Sequence, residues 1–212
     1  METKGGDQMP IQIAENIHVF QSTIWQINNP VILNEAANIV IDPCYFPAEI
    51  QVMANFVNRK KSFNNYIIFT HSDFDHLVGY RAIKAAKLIA QQEFANVDRE
   101  AQMLQLREID QIYQVSRKPA FIFPEPDITF HDQYRIPIKG DELVIFHAPG
   151  HTADCVFIIS REKKVIFAGD YLSDIEFPFV NFSIGDYCST LKLAERLVRE
   201  FGIEFLVPGH GD

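Results

Sequence analysis

The run Tyr66-Ile67-Ile68-Phe69 is apolar and β-branched, and it empties into Thr70-His71-Ser72-Asp73-Phe74-Asp75-His76, where four side chains can each donate a lone pair to a metal ion. An extended backbone sends His71 and Asp73 to the same side. Asp75 and His76 fall where Leu77, Val78 and Tyr80 suggest the start of a helix. One tight corner could therefore face two neighbouring cation positions. Taken alone, the stretch also fits a polar turn whose Asp75 caps the helix while the histidines face solvent.

Three later segments repeat the pattern. Phe146-His147-Ala148-Pro149-Gly150-His151, Val165-Ile166-Phe167-Ala168-Gly169-Asp170 and Phe205-Leu206-Val207-Pro208-Gly209-His210 each read as a strand that stops at a Gly-containing turn tipped by His or Asp. Imidazole and carboxylate suit zinc, iron or manganese, and catalytic sites of this kind keep a position open for water.

In this combination the sequence resembles the metallo-β-lactamase-fold hydrolase superfamily, whose mark is H-x-H-x-D-H followed by a lone His, a bridging Asp and a last His. Here the same order reads His71, Asp73, Asp75, His76, His151, Asp170 and His210, and the likeness runs from about Ile17 to the C-terminus. Asp73 departs from it, standing where most members carry a second His. The resemblance implies an αββα sandwich of two mixed sheets flanked by helices. It also implies two divalent metal ions, zinc first, with iron or manganese as the alternative. His71, Asp73 and His151 would hold one ion, Asp75, His76 and His210 the other, and Asp170 would bridge them. A shared water would then be deprotonated near neutral pH and attack an ester, thioester, lactone or amide-type substrate; where the ion at Asp75 is absent or loosely held, Asp75 becomes the proton acceptor.

The Asp73 substitution has an electrostatic consequence. Three carboxylates and a hydroxide balance two dications, where a set with two carboxylates leaves an excess of about one charge. A harder oxygen donor also moves preference from zinc towards iron or manganese. The flavodiiron oxygen/nitric oxide reductase core, and related oxygen-binding diiron proteins, resemble this pattern with a Glu at that position. Redox chemistry with a separate electron-donating partner is therefore an alternative to hydrolysis. A metal-stabilised sensor or scaffold is a third.

The elements that must position these side chains are legible in outline. Ile11–Ile13, Ile17–Phe20, Ser22–Ile27 and Asn38–Asp42 read as strands, and Pro47–Val57 has helical apolar spacing with Pro in its first turn. Leu77–Ala86 reads as a helix, Leu88–Ala90 as a short strand and Asn96–Val115 as an amphipathic helix. The Met103, Leu104, Leu106, Ile109 and Ile112 stripe of that helix would serve the core or a homodimer face. Cys155–Ser160 and Val165–Ala168 fit a hairpin, and Leu191–Phe201 a last helix. Asp42 fits either a support behind the site or an ordinary turn. Trp25 fits a pocket border or the core. Tyr171, Phe177, Phe179 and Phe182 follow Asp170 closely and could line an apolar pocket for acyl groups. His18, His131 and His147 are assigned structural roles.

The 212 residues carry 47% hydrophobic side chains, enough for one domain with its own core. A net charge of -9 without a large Lys/Arg cluster argues against a nucleic-acid partner and for a small-molecule substrate. Residues 1–10 are polar, without the apolar centre of a signal peptide, and are expected to be a flexible leading segment. No later segment is apolar and long enough to span a bilayer, so a cytoplasmic protein is expected. Cys44, Cys155 and Cys188 are odd in number and far apart, which fits reduced thiols.

Overall fold

The computed structural model of the chain describes residues 9–212, so most of the expected leading segment lies outside the described residues. Strands β1 (Ile11–Ala14), β2 (Ile17–Gln21), β3 (Asn28–Ile32) and β4 (Ala37–Ile41) form an antiparallel meander. The sheet continues in parallel through β5 (Asn64–Ile68), β6 (Ala86–Gln91) and β7 (Ile128–Phe130). The chain then crosses to a second sheet, β8 (Gln133–Ile138), β9 (Asp141–His147), β10 (Val156–Ser160) and β11 (Val165–Phe167), closed by β12 (Phe205–Val207) parallel to β11. Among the described residues no helix is long and apolar enough to cross a membrane.

Alternation along each strand builds the layers. Ile39, Ile41, Ile68 and Ile89 of the first sheet meet Leu143, Ile145, Val156, Ile158 and Phe167 of the second in one buried cluster. The intervening residues point outward. Val40 and Ile67 pack on Met53, Ala54 and Val57 of α1 (Pro47–Arg59), while Phe157, Ile159 and Ile166 pack on Ala194 and Leu197 of α3 (Ile184–Phe201). Both faces of both sheets are thus covered, which gives the expected αββα order. Each such aliphatic side chain withdrawn from water contributes about 1.5–3 kcal/mol. Ser183 caps α3 by accepting from the Asp186 amide at 3.2 Å, and Gly202 ends it at φ 60°.

Three sequence expectations need correction. Ser22–Ile27 is a turn, with Trp25 and Gln26 at positive φ. The Glu49 carboxylate of α1 accepts from Ser22 Oγ at 2.6 Å and from Thr23 N at 2.9 Å, so the polar groups of the segment are satisfied without a strand ladder. Leu77–Ala86 holds short 3-10 turns, Phe74–His76 before it and Val78–Ala82 within it. The chain here must press against the segment after β4: a Cβ on Gly79 would meet the Cys44 carbonyl oxygen at 2.9 Å. The helix expected over Asn96–Val115 is shorter. It is α2 (Arg99–Ile112), capped by Asp98, which accepts from Ala101 N at 3.0 Å. Of its apolar stripe only Leu106 is fully buried, whereas Leu104 and Ile112 are exposed.

Candidate metal centre

The seven residues singled out by type and spacing converge at one rim of the sandwich. Chain leaving β5 supplies His71 and Asp73, and the following 3-10 turn presents Asp75 and His76. The segments after β9, β11 and β12 supply His151, Asp170 and His210. His71, Asp73, His151 and Asp170 bring donor atoms within 4.8 Å of one another, as do Asp75, His76 and His210. Asp170 faces both groups. Its Oδ2 lies 3.5 Å from the Nε2 atoms of His71 and His151, and its Oδ1 lies 3.1 Å from His76 Nε2 and 3.6 Å from His210 Nε2.

The outer edge of each imidazole explains what the inner edge must do. His151 Nδ1 lies 2.7 Å from the Phe179 carbonyl and His210 Nδ1 lies 2.9 Å from that of Trp25, so both nitrogens donate. His76 Nδ1 faces Asp42 Oδ2 at 3.1 Å. His71 Nδ1 faces Thr70 Oγ1 at 3.0 Å, and that hydroxyl is committed to Asp42 Oδ2 at 2.5 Å. In each neutral ring the proton is thereby placed on Nδ1, which turns four Nε2 lone pairs inward. His76 Nε2 and His210 Nε2 then face each other at 3.3 Å, and both His71 Nε2 and Asp170 Oδ1 are buried without a hydrogen-bond partner. Lone pairs crowded together in this way require a cation or protons between them. Donors about 2.1 Å from a tetrahedral ion stand about 3.4 Å apart, close to the separations found here. The donor set fits divalent metal.

Protonation follows the same balance. Burial by itself would lower the His71 pKa, but the Asp170 carboxylate more than reverses this and lifts it to about 10. His76 is raised in the same way against its burial by Asp170, Asp75 and Asp42. Burial would raise Asp73, yet the His151 and His71 imidazoles facing it hold it well below the usual carboxylate range. Asp75 is raised, first by burial and further by the Asp170 charge. Without a metal, protons on His71 and His76 balance the carboxylates; a bound cation would take their place.

Several side chains support the seven, and of these the sequence reading offered only Asp42. Asp42, one of its two alternatives now decided, sits at φ 46° and also accepts from Thr70 N at 2.8 Å, so it braces both His71 and His76. Gln102 of α2 donates to Asp73 Oδ1 at 3.0 Å and accepts from Phe74 N at 2.8 Å. Asp154 accepts from Ser72 Oγ at 3.1 Å and Thr152 Oγ1 at 2.7 Å, tying a ligand loop of one sheet to that of the other. His147 Nε2 meets the Ala153 carbonyl at 2.8 Å and touches none of the seven. His18 packs against Phe56, and His131 lies at the surface.

A cavity of about 550 Å³ opens onto the cluster. Asp73, Asp75, His151, Asp170 and His210 form its floor, and Trp25, Ile175, Glu176, Phe177, Phe179 and Asn181 its walls. Trp25, Phe177 and Phe179 thus border the pocket. Tyr171 is instead buried, its hydroxyl accepting from His151 N at 2.9 Å and donating to the Ala148 carbonyl at 3.0 Å, and Phe182 lies outside the wall.

A four-layer sandwich whose two sheets share one His- and Asp-lined rim defines a class by itself. Residues 23–210 match the family described as the Metallo-beta-lactamase superfamily, and the chain belongs to it. It is 26% identical over 207 residues to the hydroxyacylglutathione hydrolase GloC of Haemophilus influenzae, spanning 92% of this chain and 91% of that protein. An acyl-coenzyme A thioesterase of Homo sapiens, MBLAC2, is 27% identical over 88 residues, which are 41% of this chain and 32% of that one. Among solved structures, a metallo-beta-lactamase from Pontibacter korlensis superposes with a TM-score of 0.68 at 17% identity, covering 96% of this chain and 91% of that chain.

Proposed function

We propose that the chain is a metal-dependent hydrolase acting on a small acyl substrate, an ester, thioester, lactone or amide. His71, Asp73 and His151 would hold one divalent ion, Asp75, His76 and His210 a second, with Asp170 between them. The observation that carries this is the inward turn of four imidazole Nε2 atoms onto three carboxylates, with His71 Nε2 and Asp170 Oδ1 buried and unpartnered. When bound, such ions lower the pKa of water and polarise a carbonyl, so no serine or cysteine nucleophile is needed.

The chain's own residues supply the rest. Asp42, Thr70 and the carbonyls of Phe179 and Trp25 fix the ring orientations. Asp75 lies on the cavity floor, 3.6 Å from both His76 Nε2 and His210 Nε2, where it can take a proton from the attacking water and return it to the leaving group. Asn181 offers an amide donor from the wall to the oxygen on which charge develops. The apolar wall accepts the acyl chain and excludes water from it.

Elemental analysis of protein purified without added metal, joined to turnover of matched ester, thioester and lactone substrates, tests this directly. Two equivalents of zinc, or of iron or manganese, with chelator-sensitive hydrolysis is the expected result. Full activity after exhaustive metal removal would refute it. A redox role has one specific support: Asp73 Oδ2 lies 3.2 Å from His151 Nε2, which gives the first ion a second carboxylate of the kind iron accepts. Iron content with reductant-dependent oxygen or nitric oxide consumption, fed by a separate electron donor, would favour that role over hydrolysis.

A further inference from the structure

Glu176 is the one ionisable residue of the cavity wall outside the seven, and no Lys or Arg shares that wall. Its side chain is only 21% exposed, yet among the described residues its carboxylate accepts no hydrogen bond. The nearest basic atom is His210 Nδ1 at 3.8 Å, whose proton already goes to the Trp25 carbonyl. A partly buried carboxylate without a hydrogen-bond partner is stabilised when a positive charge meets it. Asp73, Asp75 and Asp170 would be balanced by the cations they hold; Glu176 comes within 4.8 Å of donor atoms of Asp170 and His210, but both of those belong to the two-ion arrangement already described. It stands on the Nδ1 edge of His210, whereas the Nε2 edge faces Asp75 and Asp170, so one ring orientation does not serve both groups.

A second observation concerns the cavity mouth. Trp25, Ile175, Phe177 and Phe179 are exposed by 38%, 47%, 86% and 56%, a concentration of large apolar side chains facing solvent around that carboxylate. Aromatic faces and a carboxylate together are the chemistry that holds an alkylammonium group, by ring quadrupole and by charge. An acyl carrier rich in carboxylate or phosphate would meet the Glu176 charge on that wall, with no Lys or Arg beside it. The net charge of -9 draws in cations from a distance.

We propose that Glu176, with Trp25, Phe177 and Phe179, forms a subsite for an ammonium-bearing arm of the substrate, so that the substrate class is a cationic acyl compound. The substrate half of this rests on the acyl-hydrolase proposal; the subsite does not. Trp25 is the only tryptophan of the chain, so its fluorescence reports occupancy without any turnover. In metal-loaded protein, benzyltrimethylammonium should bind about tenfold more tightly than benzyl alcohol. Glu176→Gln should bring the two within about twofold with bound metal unchanged, and Glu176→Asp should keep part of the preference. Equal binding in the wild type, a preference that survives in Glu176→Gln, or loss of metal from that variant would each overturn the subsite. The hydrolytic arm uses two aryl esters whose acyl chains end in trimethylammonium or in its neutral tert-butyl isostere. The cationic ester should show a kcat/KM about tenfold higher, through KM. If neither ester is cleaved while the ammonium preference and its loss in Glu176→Gln persist, the hydrolase proposal falls and the subsite stands.

Discussion

Asp73 is where this chain departs from the family's usual pattern, and its surroundings fix how the short carboxylate is oriented. Gln102 of α2 holds Asp73 Oδ1 at 3.0 Å, which turns Oδ2 towards His151 Nε2 at 3.2 Å and His71 Nε2 at 3.7 Å. Replacing it with imidazole removes one negative charge and a hard oxygen donor. Asp73→His is therefore expected to raise the preference for zinc over iron by about tenfold or more, measured by competition dialysis; an unchanged ratio would dismiss the charge argument. Asp42 acts one step further out. With the bonds to Thr70 and His76 gone, Asp42→Ala should weaken metal binding by about 10–100-fold, read by chelator competition, with the circular dichroism of the fold retained. The convergence of the seven residues was legible because each is a metal-capable type placed where a hydrophobic run ends. Gln102 and Glu176 were not legible in these roles, and Asp42 was legible only as one of two alternatives. Their partners stand 28, 29 and 34 positions away in the chain, and nothing in a local pattern encodes a contact at that range.

At the scale of elements, the site depends on how tightly the strands that end in it can approach one another. A Cβ on Gly209 would lie 2.8 Å from the Gly169 carbonyl carbon and against the Asp170 carboxylate. Gly209 N also donates to the Gly169 carbonyl at 2.6 Å, so neither strand end can step back without losing that bond. Gly209→Ala should therefore displace Asp170, lower bound metal and cost about 1–3 kcal/mol of stability through overpacking. Denaturant titration and metal analysis of the same sample would check both effects, and wild-type values for the pair would contradict the packing account. Most regular elements followed from periodicity, but β3 and the first seven residues of α3, Ile184 to Thr190, did not. The misread ones share a cause. Over Ser22–Ile27 and Leu77–Ala86 the side chains have the right types for a strand or a helix, but hydrogen bonds from Glu49 and contact with the segment around Cys44 decide the backbone instead. Such tertiary partners override propensities that differ by less than about 1 kcal/mol per residue.

For the whole molecule, the rim is a joint between two sheets. His71, Asp73, Asp75 and His76 belong to the first, and His151, Asp170 and His210 to the second, so a bound cation ties the layers together where the apolar interior between them ends. Metal at about 100 times its dissociation constant adds about 2.7 kcal/mol to folding stability. In a chain of this size that should raise the Tm by about 5–10 °C, and calorimetry with and without chelator measures it. The three free thiols localise the change. Cys44 and Cys155 are buried, and burial pushes both thiols well above the ordinary range, so only the exposed Cys188 should react with an alkylating reagent in native, metal-loaded protein. Cys155 Sγ accepts from Thr152 N at 3.3 Å, one residue from His151, whereas Cys44 is packed against Met53 beneath α1. Chelation should therefore make Cys155 reactive while Cys44 stays protected until global unfolding. Mass spectrometry of the labelled peptides distinguishes the outcomes. If both buried thiols open together, or neither responds to metal removal, the rim does not act as a clasp between the sheets.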